Sequence, residues 1–262
     1  NFKAILSSPS FQQAFKNTVV IWLSNFVPQI LLALLLAAWF TDKRSTVKGQ
    51  GIFKILLYMP NIITAATIAI LFSGFFGYPM GPVNDLLVRF GFVEKPLELL
   101  RNKTVSRSVV IFIQTWMWYG STMITLISGI LGISPEIFES AEVDGANRLQ
   151  TFIYITLPNV KTILLFTLVT SLIGGLNMFD IPKLFQNGGP DNATLTTSLF
   201  IYNQAFSGSY MYNRAAAASM IMFVIIAVLA SLMFFVMRDK DEVELKKQIK
   251  QQQKNYKKQL KA

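Results

Sequence analysis

The sequence contains no cysteine and no histidine. The first absence excludes disulfides and thiolate metal sites. The second excludes serine–histidine triads, histidine metal clusters and imidazole acid–base chemistry. Charge is scarce too: Asp, Glu, Lys and Arg make up 15% of the 262 residues, against ~25% in ordinary globular domains. No glycine-rich GKS/T loop is present to cradle a nucleotide phosphate, so ATP binding by this chain is not expected. The opening stretch, NFKAILSSPSFQQAF, lacks the basic and apolar regions of a secretory signal.

Apolar residues are abundant at 52%, with 22 phenylalanines. The charges cluster at 41–54, 85–107, 136–148 and 238–261, and long apolar stretches separate the clusters. Helices of ~20 apolar residues are what cross a bilayer. The pattern therefore predicts an all-α polytopic membrane protein with five transmembrane helices, at about 17–40, 52–76, 108–130, 160–179 and 214–237. Residues 1–237 would form the membrane domain and 238–262 a basic cytoplasmic tail. The net charge of +10 does not point to nucleic acid, because nine of the Lys and Arg residues lie at Arg238 or beyond. Positive charge there is read first as cytoplasmic retention, with anionic lipid or a helix touching a partner as alternatives.

Each span carries its own marks. The first has Pro28 as an expected kink and Trp22 and Trp39 as expected interface anchors; an amphipathic stretch at 1–14 precedes it and should lie in the interface. The second has Pro60 as an expected kink, followed by Asn61 and Thr64. The third is rich in polar and aromatic residues, from Gln114 to Thr125. The fourth holds Gly174, Gly175 and Asn177, with Asp180 at its end. The fifth opens with the small residues 215–219, suited to close packing. Loops are expected at 77–107, with one short amphipathic helix at 83–90, and at 181–212.

The stretch SPEIFESAEVDGANRLQTFIYITLP, residues 134–158, interrupts this pattern with Glu136, Glu139, Glu142 and Asp144. Ser134-Pro135-Glu136 is a helix start: a cap, a proline at the first helical position and an acid in the first turn. Gly145 should end that helix, a second should run over 146–155, and Pro158 should mark the next span. From the residues alone the stretch is either a connecting loop with solvated acids or a docking surface. With this stretch on the cytoplasmic side, Lys43, Arg44, Lys48, Lys54, Arg148 and the tail cations are inside. Arg89, Lys95, Arg101, Lys103, Arg107 and Lys183 are then outside, and the tail decides the count. Five spans place Asn1 outside, which leads to the expectation of an earlier span before it.

ESAEVDGANRLQTFIYITLP resembles the EAA motif of ABC-importer permeases, with Ser140 in place of the usual alanine. The stretch lies between the third and fourth spans, where that family carries the motif. FQNGGPDNATLTTSLFIYNQAF (185–206) resembles the loop before the last span of the maltose/multiple-sugar, MalF-like carbohydrate permeases. KNTVVIWL (16–23) and YMPNI (58–62) resemble the starts of that family's second and third spans. The resemblance covers nearly the whole chain, without the family's first of six spans and without a large extra periplasmic domain.

The resemblance implies a non-catalytic permease subunit, multi-pass in the bacterial cell membrane, which takes up sugars by alternating access. It implies as partners a second homologous permease subunit, two cytoplasmic ATPase subunits that bind ATP and Mg, and an extracellular or periplasmic solute-binding protein. It places Glu139, Ser140, Ala141, Gly145 and Ala146 against an ATPase. It also places Asn61, Met117, Trp118, Ser121, Gly174, Gly175, Asn177 and Met178 along a sugar cavity, to which Tyr119 is added as a polar aromatic residue in mid-span. Gly174, Gly175 and Met178 replace aromatic and asparagine residues of the maltose site, which suits a larger oligosaccharide or a site mainly on the partner subunit. Read without the resemblance, the same Trp and Tyr could be interface anchors and Gly174-Gly175 close packing. The rival classes are a secondary transporter of a small polar solute and a membrane-embedded enzyme. The first needs inverted repeats or buried ion-coupling carboxylates, and the second needs catalytic groups that this sequence lacks.

Overall fold

The computed structural model describes residues 1–42, 44, 48–208, 210–237, 249 and 253. The expected tail at 238–262 therefore lies almost entirely outside the described residues. Long stretches without charge leave the backbone to satisfy its own hydrogen bonds, and the described regular structure is helical throughout.

A short helix α1 (Phe2–Leu6) leads into α2 (Pro9–Thr41), which runs unbroken through Pro28. The return crossing is α3 (Gln50–Ile62) and α4 (Ala65–Phe75), bent by 90°. Next come α5 (Pro82–Arg89) and then α6 (Lys103–Leu131). The 134–158 stretch holds α7 (Pro135–Val143), α8 (Arg148–Thr151), a π-turn (Phe152–Thr156) and α9 (Leu157–Asn159). Finally come α10 (Lys161–Leu176), α11 (Asp180–Gln186), α12 (Thr197–Phe206) and α13 (Tyr212–Met237).

Among the described residues, α2, α6, α13 and the stretch Lys161–Gln186 are each long and apolar enough to cross a membrane. The bent pair makes a fifth crossing only if it counts as one span. The second of the five expected spans, 52–76, is therefore a broken element. Its break lies at Ile63–Thr64, not at Pro60, which is buried inside α3. Thr64 accepts a hydrogen bond from the Thr67 amide (3.3 Å) and so restarts the helix in a new direction.

Three packed clusters order the bundle. Ala33, Ala37 and Phe40 of α2 pack with Met123, Leu126 and Ile130 of α6 and with Val160. Near their starts, Ile21 of α2 packs with Val110 and Ile113 of α6 and with Ile68 and Phe72 of α4. The helices α2 and α6 therefore run parallel. Helix α10 returns against them, since Ile163 sits with the first cluster while Leu172 and Leu176 pack with Trp22, Phe11 and Ala218. The 134–158 stretch and the end of α13 consequently lie at one end of the bundle, and α5, α11 and α12 at the other.

Three further expectations are corrected. Residues 1–14 do not simply lie at an interface: Ile5, Phe11 and Ala14 are buried in the core, and Phe11 packs edge-on against Phe200, 5.6 Å away. Trp22 is also core, at 6% exposure, whereas Trp39 is half exposed. The 181–212 segment is not a surface loop. Thr194, Thr196 and Thr197 are fully buried, and their hydroxyls bond the carbonyls of Gly189, Met178 and Leu176.

Candidate functional site

The first site is a cavity of about 370 Å³ walled by α2, α6 and α10. Helical spacing builds it. Trp22, Asn25 and Gln29 fall on one face of α2, and Gln114, Met117, Trp118, Ser121, Thr122 and Thr125 on one face of α6. Thr167, Thr170, Ser171, Gly174 and Gly175 come from α10, and Asn177, Met178 and Asp180 from the turn into α11. Polar groups inside a bundle need partners, and these have them. Gln29 Nε2 donates to Thr122 Oγ1 (2.8 Å), Trp22 Nε1 to Ser171 Oγ (3.1 Å) and Trp118 Nε1 to Gln114 Oε1 (3.2 Å). Trp118 still leaves 47% of its surface exposed. The wall can therefore offer an indole, amides and hydroxyls to a polyhydroxylated ligand.

The two adjacent glycines differ. A Cβ on Gly175 would stand 2.0 Å from Trp22 Cδ1, so this position holds the α2–α10 contact. A Cβ on Gly174 would meet nothing within 4 Å and would project into open space.

Of the residues expected to line a sugar site, Met117, Trp118, Ser121, Gly174, Gly175, Asn177 and Met178 are brought together around this cavity. Two are not. Tyr119 is buried on another face of α6, one residue round from Trp118. Asn61 is not on the cavity wall; its side chain donates to the Met117 carbonyl (3.2 Å) and so ties the bent α3 to α6. The sequence reading missed the α2 face and the α10 hydroxyls. Asn25 and Gln29, four residues apart in an apolar run, were the available signal.

The second site is the 134–158 stretch. Ser134 stands at the cap position of α7, but its side chain makes no capping bond. The other end follows a glycine rule closely. Gly145 has φ +76°, its amide bonds the Glu142 carbonyl (3.1 Å), and the Ala146 amide bonds that of Ala141 (2.9 Å). This is a Schellman closure, which needs the left-handed conformation that glycine adopts without strain. Asn147 then caps α8 in a reciprocal box with Gln150. The second segment thus starts two residues later than expected. It does not stop at Pro158 either, because the wider π-turn at 152–156 takes up the i−4 clash that proline would create.

Ion pairs join this unit to the end of α2. Arg44 Nε lies 3.3 Å from Glu142 and Arg148 Nε 3.0 Å from Asp42, while Arg44 also donates to the Ala146 carbonyl (3.3 Å). A slot of about 360 Å³ separates α7 and α8 from α2 and α6, lined by Trp39, Phe138, Glu139 and Phe152 among others. Glu139, Ser140 and Gly145 are exposed, Ala141 is buried and Ala146 is half-buried. Val143 and Leu149 are large apolar residues at 88% and 66% exposure on the outer side of the turn.

Residues 14–240 match the family described as binding-protein-dependent transport system inner membrane component. The chain belongs to this family. Similar proteins include the lactose transport system permease protein LacF of Rhizobium radiobacter, 32% identical over 242 residues, covering 92% of this chain and 80% of that one. The arabinooligosaccharides transport system permease protein AraP of Bacillus subtilis is 30% identical over 225 residues, covering 85% and 71%. The fold is similar to a chain of a bacterial ABC transporter that imports the acidic polysaccharide alginate. The TM-score is 0.81 at 25% identity, with 90% of this chain and 82% of that chain covered. As an inner membrane component of such a system, this chain is a non-catalytic permease subunit of the bacterial membrane. Among its described residues no group of three or more His, Cys, Asp or Glu is placed to hold a metal ion.

Proposed function

We propose that this permease takes up oligosaccharides as one of two homologous membrane subunits of an ATP-driven importer. It works by alternating access around the α2–α6–α10 cavity. The broken α3–α4 pair counts as one span, giving five, and residues 134–158 face the cytoplasm together with the basic tail. Two ATPase subunits engage the α7–α8 unit, and an extracellular or periplasmic binding protein delivers the sugar at the opposite end.

The observation that carries this reading is continuity. The α7–α8 unit joins the end of α6 to the start of α10, and both helices wall the cavity. A push on that unit is therefore a push on two cavity walls. The exposed Val143, Leu149 and Glu139 supply a mixed apolar and acidic surface for a partner groove. The named substrates of the relatives, lactose and arabinooligosaccharides among them, support sugar as the cargo class.

The test is uptake of oligosaccharide, with substrate-stimulated ATP hydrolysis, by the complete complex carrying Glu139→Lys or Gly145→Val. Loss of both activities with the complex still assembled is expected. Wild-type uptake and hydrolysis in both variants would sink the coupling role.

A further inference from the structure

The charge inventory of the cavity goes one step beyond sugar import, and it rests on that reading. Among the described residues lining the cavity there is no Lys or Arg. The one formally charged side chain is Asp180, exposed at the start of α11. Nearby cations are turned to other work. Arg107 donates to Asn17 Oδ1 (3.0 Å) and the Ala193 carbonyl (3.1 Å). Lys183 donates to Asn187 (2.8 Å) and stands over the Tyr202 ring at 4.9 Å.

We infer that the cargo of this permease is an uncharged oligosaccharide, and that the cavity discriminates against acidic chains such as that carried by the alginate transporter of similar fold. A sugar carboxylate entering this space would lose water and find no cation on this chain's wall to replace it, a costly state for any buried charge. Asp180 would repel it as well. A neutral sugar hydroxyl both donates and accepts, and so do Gln114, Ser121, Thr170 and Asn177. The exposed indole of Trp118 can lie against the apolar face of a pyranose ring. An acidic chain needs a guanidinium or ammonium that this wall does not provide.

The experiment compares import of length-matched neutral and uronate oligosaccharides by the complete complex in proteoliposomes with its binding protein. The native protein should import the neutral chain at least about tenfold faster. Asp180→Asn should narrow that ratio. Gly174→Lys, whose side chain enters open space, should narrow it further by supplying the missing cation. Uptake of the acidic chain at or above the neutral rate would overturn the inference. So would a ratio unchanged in both variants, because selection would then lie outside this cavity. Import of neither class, with ATP hydrolysis intact, would instead overturn the sugar reading on which the inference stands.

Discussion

The two ends of the bundle are held together differently. At the α11–α12 end buried and mostly neutral fastenings stand beside one exposed ion pair, Lys103 with Asp191 (3.3 Å). Asn17, 3% exposed, donates to the carbonyls of Asn192 (2.7 Å) and Leu195 (3.1 Å) and accepts from Arg107. Thr18 and Thr197, both fully buried, lie 3.3 Å apart, and the Thr197 amide donates to Thr18 Oγ1 (2.9 Å). At the 134–158 end the fastenings are ion pairs on the surface, Arg44 with Glu142 and Arg148 with Asp42, beside an open slot. Exposed pairs of this kind contribute about 0–1 kcal/mol and weaken with salt. Removing one partner of a buried hydrogen bond costs about 1–3 kcal/mol for the group left behind. Polar fastenings are therefore costly to break at the first end and cheap at the second, where apolar packing of Ile133 and Phe138 against Phe40, Ile130 and Val160 remains. That asymmetry fits the drive from one side proposed above.

Substitutions can break the contrast in order of expected size. Gly175→Leu should have the largest effect, since its side chain would collide with Trp22. Overpacking of a tight contact costs about 1–3 kcal/mol or more, and loss of assembled complex in detergent would register it. Asn17→Leu should come next, because it strands the Leu195 carbonyl and one N–H of Arg107 and leaves the Asn192 carbonyl only the Leu195 amide. A fall in stability of ~2 kcal/mol or more is expected, read as a lower melting temperature of the purified complex. Gln29→Leu should cost less, about 0.6 kcal/mol, as side-chain hydrogen bonds between membrane helices usually do. Arg148→Ala should be the mildest, within about 1 kcal/mol and smaller still at high salt. If Arg148→Ala destabilises the complex more than Asn17→Leu, the contrast between the two ends is wrong.

Much of the α7–α8 unit was legible in the sequence because its signals are local. Pro135 at a helix start and Gly145 at a helix end act within a turn, and the structure shows both. The break after Ile62 was harder to see. Pro60 suggested a kink, but the bend comes where Thr64 recaps the chain, a choice made by tertiary contacts such as Asn61 to Met117. The buried state of 187–197 was also hidden. A run such as NGGPDNATLTT reads as a surface loop, and only partners far away in sequence, Asn17 and Thr18, bury it. The α6 face of the cavity was recognised from its density of aromatic and polar residues. The α2 face, where Asn25 and Gln29 are spread thinly among apolar neighbours, was not.

Cross-linking tests the central claim most directly, and these 262 residues hold no cysteine to compete with an introduced one. Val143→Cys places a thiol on an exposed apolar point of the α7–α8 turn, and Phe92→Cys places one on an exposed point at the other end of the bundle. In the complete complex, with cysteines introduced around the groove of the ATPase subunits, Val143→Cys should cross-link to an ATPase subunit and thereby block uptake, and Phe92→Cys should not. An ATPase cross-link from Phe92→Cys, with none from Val143→Cys, would contradict the account.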